Sequence, residues 1–103
     1  MANPQKKFMN KYPVLGKFLG DYNYHARINE VSEDRAILVL LDLMKPEEID
    51  QLKKELDGVL PALGNYDEKS FVNTMIKVSS RMFYSRDGIQ TYLENLKRKI
   101  ASA

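Results

Sequence analysis

The sequence predicts an all-α protein, a compact bundle of four to five short antiparallel helices. Apolar residues recur at helical spacing along most of the chain, residues that favour helix caps precede several of these segments, and the connections between them are short. With 103 residues, the chain is long enough for one hydrophobic core but not for two. We therefore predict a flexible N-terminal segment over residues 1–11 and a single helical domain over residues 12–101.

The most apolar stretch of the chain runs from Ala36 to Met44 and is interrupted only by Asp42. Ser32 precedes it and is well placed to cap a helix. Glu33 and Asp34 then place negative charge at the positive end of the helix dipole, which stabilises the helix. Because nearly every side of this helix is apolar, we expect the other elements to cover it completely. A charged residue in place of Leu40 is expected to abolish folding.

The same region also permits a different fold. Residues 22–28 alternate with a period of two, and a short continuous apolar run fits a central strand as well as a helix. Residues 32–35 would then form a hairpin loop. The alternative is an α+β fold with an N-terminal β-hairpin at about 22–43, followed by three helices.

A helix upstream of this run is predicted to begin at Pro13. Proline suits the first turn of a helix, and apolar residues then fall on one face as far as Ala26. Gly16 and Gly20 lie on the opposite face, where each costs about 1 kcal/mol relative to alanine. They either allow another backbone to approach closely or mark a bent first segment.

A third helix is predicted to begin at Pro46 with a narrow apolar stripe. We expect it to end near Asp57, because Gly58 and Pro61 follow and both residues weaken a helix interior. A looser turn is expected to continue from there.

Two more amphipathic helices complete the prediction. One follows the cap residue Asp67 and carries a broad apolar arc over residues 71–83, in which Met82 is expected to fill the core. The last helix is capped by Ser85 or Asp87. Its predicted core stripe consists of Ile89, Tyr92, Leu93, Leu96 and Ile100.

The sequence contains no recognisable catalytic constellation. It lacks cysteine, which excludes disulfides and thiol chemistry, and it has none of the common nucleotide-binding or metal-binding motifs. His25, the only histidine, lies on the apolar face of the first predicted helix, where a hydrogen-bonded core residue is its expected role. We predict no catalytic residue, metal site or cofactor. A small-ligand carrier or an enzyme with a pocket near His25 remains an alternative.

The net charge of the chain is too small to predict nucleic-acid binding by itself. The net charge is only +2, and an acidic block over residues 46–64 is followed by a basic block over residues 65–103, a pattern expected to steer packing. No apolar run is long enough to span a bilayer, and the N-terminus lacks the apolar segment of a signal peptide. We expect a cytoplasmic protein that does not associate with membranes.

Two stretches mix aromatic and basic side chains, a composition typical of protein interfaces and of surfaces that stack nucleic-acid bases. Three consecutive basic residues of the last helix, Lys97, Arg98 and Lys99, form either a solvated face or a contact for phosphate or an acidic partner. The candidate interaction residues are Tyr24, Arg81, Tyr84, Arg86, Lys97 and Arg98.

The function predicted from these features is a small protein-interaction module: an adaptor, assembly factor, inhibitor or immunity-type protein that acts by surface contact. Its predicted partner is another protein of unknown identity. The alternative is a nucleic-acid-binding helical module that contacts phosphates through basic residues of the C-terminal half, namely Arg81, Arg86, Lys97, Arg98 and Lys99. A homodimer could form through an exposed part of the arc over residues 71–83.

Overall fold

The computed structural model describes residues 3–29 and 32–102, with the side chains of residues 22–29 left out of the description. Within these ranges the protein is all-helical and contains no β-strand, so the predicted all-α class is confirmed. The β-hairpin alternative at 22–43 is wrong for the described part of that range. The described chain has six α-helices instead of four to five: α1 (Pro4–Lys11), α2 (Pro13–Asn29), α3 (Glu33–Leu43), α4 (Pro46–Ala62), α5 (Glu68–Ser79) and α6 (Arg86–Ser102), with a 3₁₀ turn at Leu63–Asn65.

Helix α1 lies within the segment predicted to be flexible. The side chain of Asn3 accepts a hydrogen bond from the backbone N–H of Gln5 and so caps the helix. Phe8 is buried, with its ring centroid 5.1 Å from that of Tyr12 and 6.2 Å from that of Phe71. The flexibility of residues 1–11 stays a prediction, but the helix was missed because a single buried residue in two turns gives no detectable periodicity.

Gly16 allows α1 to lie close against α2. A Cβ atom built at this position would be 3.2 Å from Cγ of Met9 and 3.6 Å from the Met9 Cα. Of the two roles predicted for this glycine, the close approach of another backbone is therefore the one that the structure shows.

Helix α2 occupies the centre of the bundle. It packs against α1, α3, α4 and α5, while α6 packs against α3, α4 and α5. The interior between these helices is largely apolar, and all five residues of the stripe predicted for the last helix are buried. The largest fully buried side chains are those of Leu15, Leu19, Ile37, Leu52, Leu56, Met75, Ile89, Leu93 and Leu96.

Helix α3 is covered on one side only, which corrects the expectation that the apolar run disappears completely. It packs mainly against α2 and α6, at the edge of the bundle. Four of its residues are buried, namely Ala36, Ile37, Leu40 and Leu41. Three large apolar residues remain exposed: Leu38 at 46%, Val39 at 37% and Leu43 at 70%.

The predicted helix caps are confirmed at α3, α5 and α6. In each case a side-chain oxygen of the cap residue accepts a hydrogen bond from a backbone N–H three residues along the chain. The pairs are Ser32 with Arg35 at 3.2 Å, Asp67 with Ser70 at 3.0 Å, and Ser85 with Gly88 at 3.2 Å.

Helix α4 is longer than predicted. It passes Asp57 and Gly58 and includes Pro61 in its last turn. A proline there removes only one intrahelical hydrogen bond. The continued helix buries Val59 and positions Leu63 in the core. Burial of these apolar side chains therefore outweighs the weak helix propensity of the two residues that were expected to end the helix.

Helix α5 is shorter than the predicted apolar arc. It ends at Ser79, and Ser80 adopts a left-handed backbone conformation with φ of 57°. The arc over residues 71–83 is therefore split between a helix and a loop. As a result Met82, expected in the core, is exposed, whereas Phe83 is buried from the loop.

The N-terminus of α2 is held by Glu55, a buried carboxylate of α4. Its Oε1 accepts a hydrogen bond from the backbone N–H of Leu15 at 2.8 Å, and its Oε2 accepts one from Val14 at 3.3 Å. The side-chain amide of Gln51 donates a third hydrogen bond to Oε2 at 3.0 Å. Glu55 thus satisfies free N–H groups in the first turn of α2 and places a negative charge at the positive end of the dipole.

Tyr12 lies beside this carboxylate at the junction of α1 and α2. Burial of its ring, a hydrogen bond with the Tyr66 hydroxyl and the negative charge of Glu55 raise the pKa of Tyr12 to about 12. The phenol therefore keeps its proton in the folded protein up to strongly alkaline pH.

Candidate interaction surface at the α5–α6 loop

The loop between α5 and α6 presents two large side chains to solvent. Phe83 is only 3% exposed and anchors the loop in the core, while its neighbours Met82 and Tyr84 are 58% and 89% exposed. Such alternation is what an extended segment produces when it lies flat on a packed surface. We call Met82, Tyr84 and the neighbouring Arg98 the loop surface.

Arg81 ties this loop to two helices. Its Nη2 donates a hydrogen bond to Oε2 of Glu33 in α3 at 3.0 Å, and both side chains are about one third exposed. The guanidinium lies 4.4 Å from the ring centroid of Phe83 and 5.4 Å from that of Tyr92 in α6. These contacts combine a charge-assisted hydrogen bond with cation–π attraction, and they fix the backbone on which Met82 is carried.

The chain also leaves α5 in a defined direction. The hydroxyl of Ser79 donates to the backbone carbonyl of Met75 at 2.8 Å and accepts from the backbone N–H of Arg81 at 3.0 Å. The left-handed conformation of Ser80 turns the chain between these two bonds. The loop therefore starts from a hydrogen-bonded turn.

A groove with a volume of about 540 Å³ lies beside the loop. Its lining includes Arg81, Tyr84 and Arg98, so the structure brings three of the six predicted interaction residues to one concave surface. Asp87 and Asn95 also line it, which gives the groove a mixed polar character without a strong charge of either sign.

Arg86, another predicted interaction residue, does not line this groove. Its Nη2 donates to the backbone carbonyl of Tyr66 at 2.7 Å, and its backbone N–H donates to Oε2 of Glu68 at 3.1 Å. Arg86 therefore connects the starts of α5 and α6. This contact gives the residue a structural role that the sequence did not reveal.

Lys97, a further predicted interaction residue, does not line the groove either. The Lys97 ammonium is 2.8 Å from Oδ1 of Asp57 in α4, so this pair joins the predicted basic block to the acidic block. Tyr24 belongs to α2, but its side chain lies outside the described residues, as does that of His25. The pocket hypothesised near His25 is therefore outside the description as well.

A second cleft, between α1 and the start of α5, was not predicted. It has a volume of about 460 Å³, and its lining includes the aromatic rings of Phe8, Tyr66 and Phe71 together with Lys7 and Lys11. The rings of Tyr66 and Phe71 stack with their centroids 4.6 Å apart. The cleft could not be predicted without α1, which forms one of its walls.

The described part of the chain offers no cluster of three or more acidic or histidine side chains suited to a metal ion. Among the described helices, none is both long enough and apolar enough to cross a membrane. Comparison with protein-family models, curated proteins and solved structures found no match.

The expectation that Met82 fills the core is wrong, because Met82 is exposed on the loop surface. A signal for it was present, because two consecutive serines precede Arg81, and serines favour helix ends over helix interiors. If α5 is ended at these serines, Met82 and Tyr84 fall on the same side of an extended segment.

Proposed function

We propose that this protein is a small interaction module that binds another protein by surface contact at the loop surface, without catalysis. The observation that carries the proposal is the display of Met82 and Tyr84, two large exposed side chains that flank a buried anchor. Tyrosine, methionine and arginine are enriched in protein interfaces, and tyrosine and arginine are common among the residues that dominate binding energy.

The fixed geometry of the loop supports this proposal. Binding a flexible loop costs conformational entropy, typically about 0.5–1.5 kcal/mol for each long side chain that becomes ordered. Here the contacts of Arg81 with Glu33 and Phe83 hold the backbone before any partner arrives. More of the contact energy of Met82 and Tyr84 is then available for affinity.

The pairing of basic residues favours a protein partner over a nucleic acid. Arg81 and Lys97, two of the cations proposed for a phosphate contact, form ion pairs with Glu33 and Asp57. A polyanion would have to compete with these carboxylates, and the groove itself includes a further acid, Asp87. The nucleic-acid alternative therefore has less support than a protein that offers an apolar contact and a carboxylate for Arg98.

The proposal is tested by comparing variants of the full chain as immobilised bait in an extract of the source organism. Tyr84→Ala and the double variant Met82→Ser with Tyr84→Ala are expected to lower the amount of the retained partner at least about tenfold, as loss of a dominant interface residue does. Lys69→Ala changes an exposed residue at the start of α5 and serves as the control, with retention expected to equal that of the wild type.

Two results would contradict the proposal. One is retention of the same proteins by all variants, which would show that the loop surface is not used. The other is retention of nucleic acid that falls steeply with salt and is lost on mutation of Arg98, which would favour the nucleic-acid alternative.

A further inference from the structure

We propose that the outward face of α3 binds a second copy of this chain, so that two α3 helices pack antiparallel about a two-fold axis. We define the outward face of α3 by Arg35, Leu38, Val39 and Asp42. Leu38 and Val39 are among the few large apolar residues that the described structure leaves exposed. This inference is independent of the proposed function, because it uses a different surface and different residues.

The four residues form one continuous stripe. Successive residues of an α-helix are about 100° apart, which places Leu38, Asp42, Arg35 and Val39 in that order within an arc of about 100°. The buried residues of α3 occupy the opposite side, with Leu40 and Ile37 near its middle. The outward face is therefore the part of α3 that points away from the bundle.

The charges on this stripe are arranged antisymmetrically. Arg35 and Asp42 lie at its two ends, about 10 Å apart along the axis, and Leu38 and Val39 lie midway between them. If a second α3 packs antiparallel about an axis at this midpoint, Arg35 of each copy faces Asp42 of the other, and the apolar residues meet at the centre. The face is thus complementary to itself, as an isologous interface requires.

Both charges are available for such pairing. Each of the ion pairs found among the described residues involves other side chains, and neither Arg35 nor Asp42 takes part in one. A uniformly charged partner would satisfy only one of the two and repel the other, so the pattern favours a second copy over a polyanion or a purely acidic peptide.

The size of the face indicates a reversible dimer. A helix of 11 residues is about 16 Å long, so contact confined to it buries less than the roughly 800 Å² per partner of a standard interface. The oligomeric state is therefore expected to depend on protein concentration.

Sedimentation equilibrium over a concentration series tests this proposal. The wild type is expected to dimerise, and Leu38→Asp is expected to raise the dissociation constant at least about tenfold. Arg35→Asp and Asp42→Arg should each weaken the dimer, because each places like charges opposite one another. Both substitutions place a charge that interacts favourably with the nearer end of the helix dipole, negative at position 35 and positive at position 42. Circular dichroism should therefore show intact helices.

Charge exchange distinguishes this arrangement from a general effect of mutation. The double variant Arg35→Asp with Asp42→Arg should dimerise as the wild type does, and an equimolar mixture of the two single variants should form a heterodimer. A wild type that stays monomeric at about 1 mM would overturn the proposal and leave the face to a different partner. A dimer that is unchanged by Leu38→Asp would also overturn it, because the contact would then lie elsewhere.

Discussion

Glu55 is a single side chain that determines how a helix 40 residues away in sequence begins. Its carboxylate accepts the backbone N–H groups of Val14 and Leu15 while being almost fully buried. Nothing in the local sequence of α2 reveals this cap, since a cap is recognised from the residue directly before a helix. In the sequence Glu55 is only one acid of the block over residues 46–64, and the packing of α4 against α2 gives it this role.

Replacing Glu55 with alanine is expected to lower the free energy of unfolding by about 2–4 kcal/mol. The substitution removes charge-assisted hydrogen bonds and leaves buried N–H groups without a partner. Urea unfolding followed by circular dichroism measures the change. Glu47→Ala, at an exposed position in the first turn of α4, is the control and should cost less than about 1 kcal/mol. Equal losses in the two variants would contradict the capping role.

Tyr12 makes stability depend on alkaline pH. An unfolded tyrosine loses its proton near pH 10, whereas the pKa of Tyr12 in the folded protein is raised to about 12. Because the folded state retains a proton that the unfolded state has lost, the contribution is complete below pH 10 and is lost as the pH rises from 10 to 12. The loss should reach about 2–3 kcal/mol.

The variant Tyr12→Phe isolates this contribution. It loses the hydrogen bond to Tyr66 at every pH, but it should show a shallower decline in unfolding free energy between pH 10 and 12 than the wild type. Urea titrations at several pH values measure both slopes. Identical slopes would show that Tyr12 does not titrate differently in the two states.

Helix α3 shows how far the pattern of one element can be predicted from sequence. The cap at Ser32 and the helix itself were predictable, because local hydrogen bonding and dipole charge determine them. The buried side was not, since Leu38 and Leu40 are the same residue type and only packing against α2 and α6 distinguishes them. The predicted extent of α5 was wrong for a related reason, because apolar residues continue at helical spacing past Ser79 into the loop.

Two substitutions on α3 test which side is buried. Leu40→Asp places a charge in the core and is expected to abolish folding, because an unpaired buried carboxylate costs several kcal/mol. Leu43→Asp places the same charge at an exposed position and is expected to leave the protein folded. Thermal unfolding followed by circular dichroism distinguishes the two. A folded Leu40→Asp variant, or an unfolded Leu43→Asp variant, would show that α3 is oriented differently.

The molecule as a whole combines a largely apolar interior with an acidic block and a basic block that form an ion pair between helices. The pairing of Lys97 with Asp57 follows the block pattern seen in the sequence, although an exposed pair of this kind contributes only about 0–1 kcal/mol. The all-α class and the stripe of α6 could be predicted because periodicity repeats over many residues. The groove beside the loop could not, because Arg81 and Arg98 meet there only through tertiary packing.

The proposed function requires that the loop surface contact another protein. A photoreactive amino acid incorporated in place of Tyr84, with Lys69 as the matched exposed control position, tests this directly in cells of the source organism. We expect a discrete covalent adduct with another protein from position 84 and none from position 69. No adduct from position 84, or the same adducts from both positions, would contradict it.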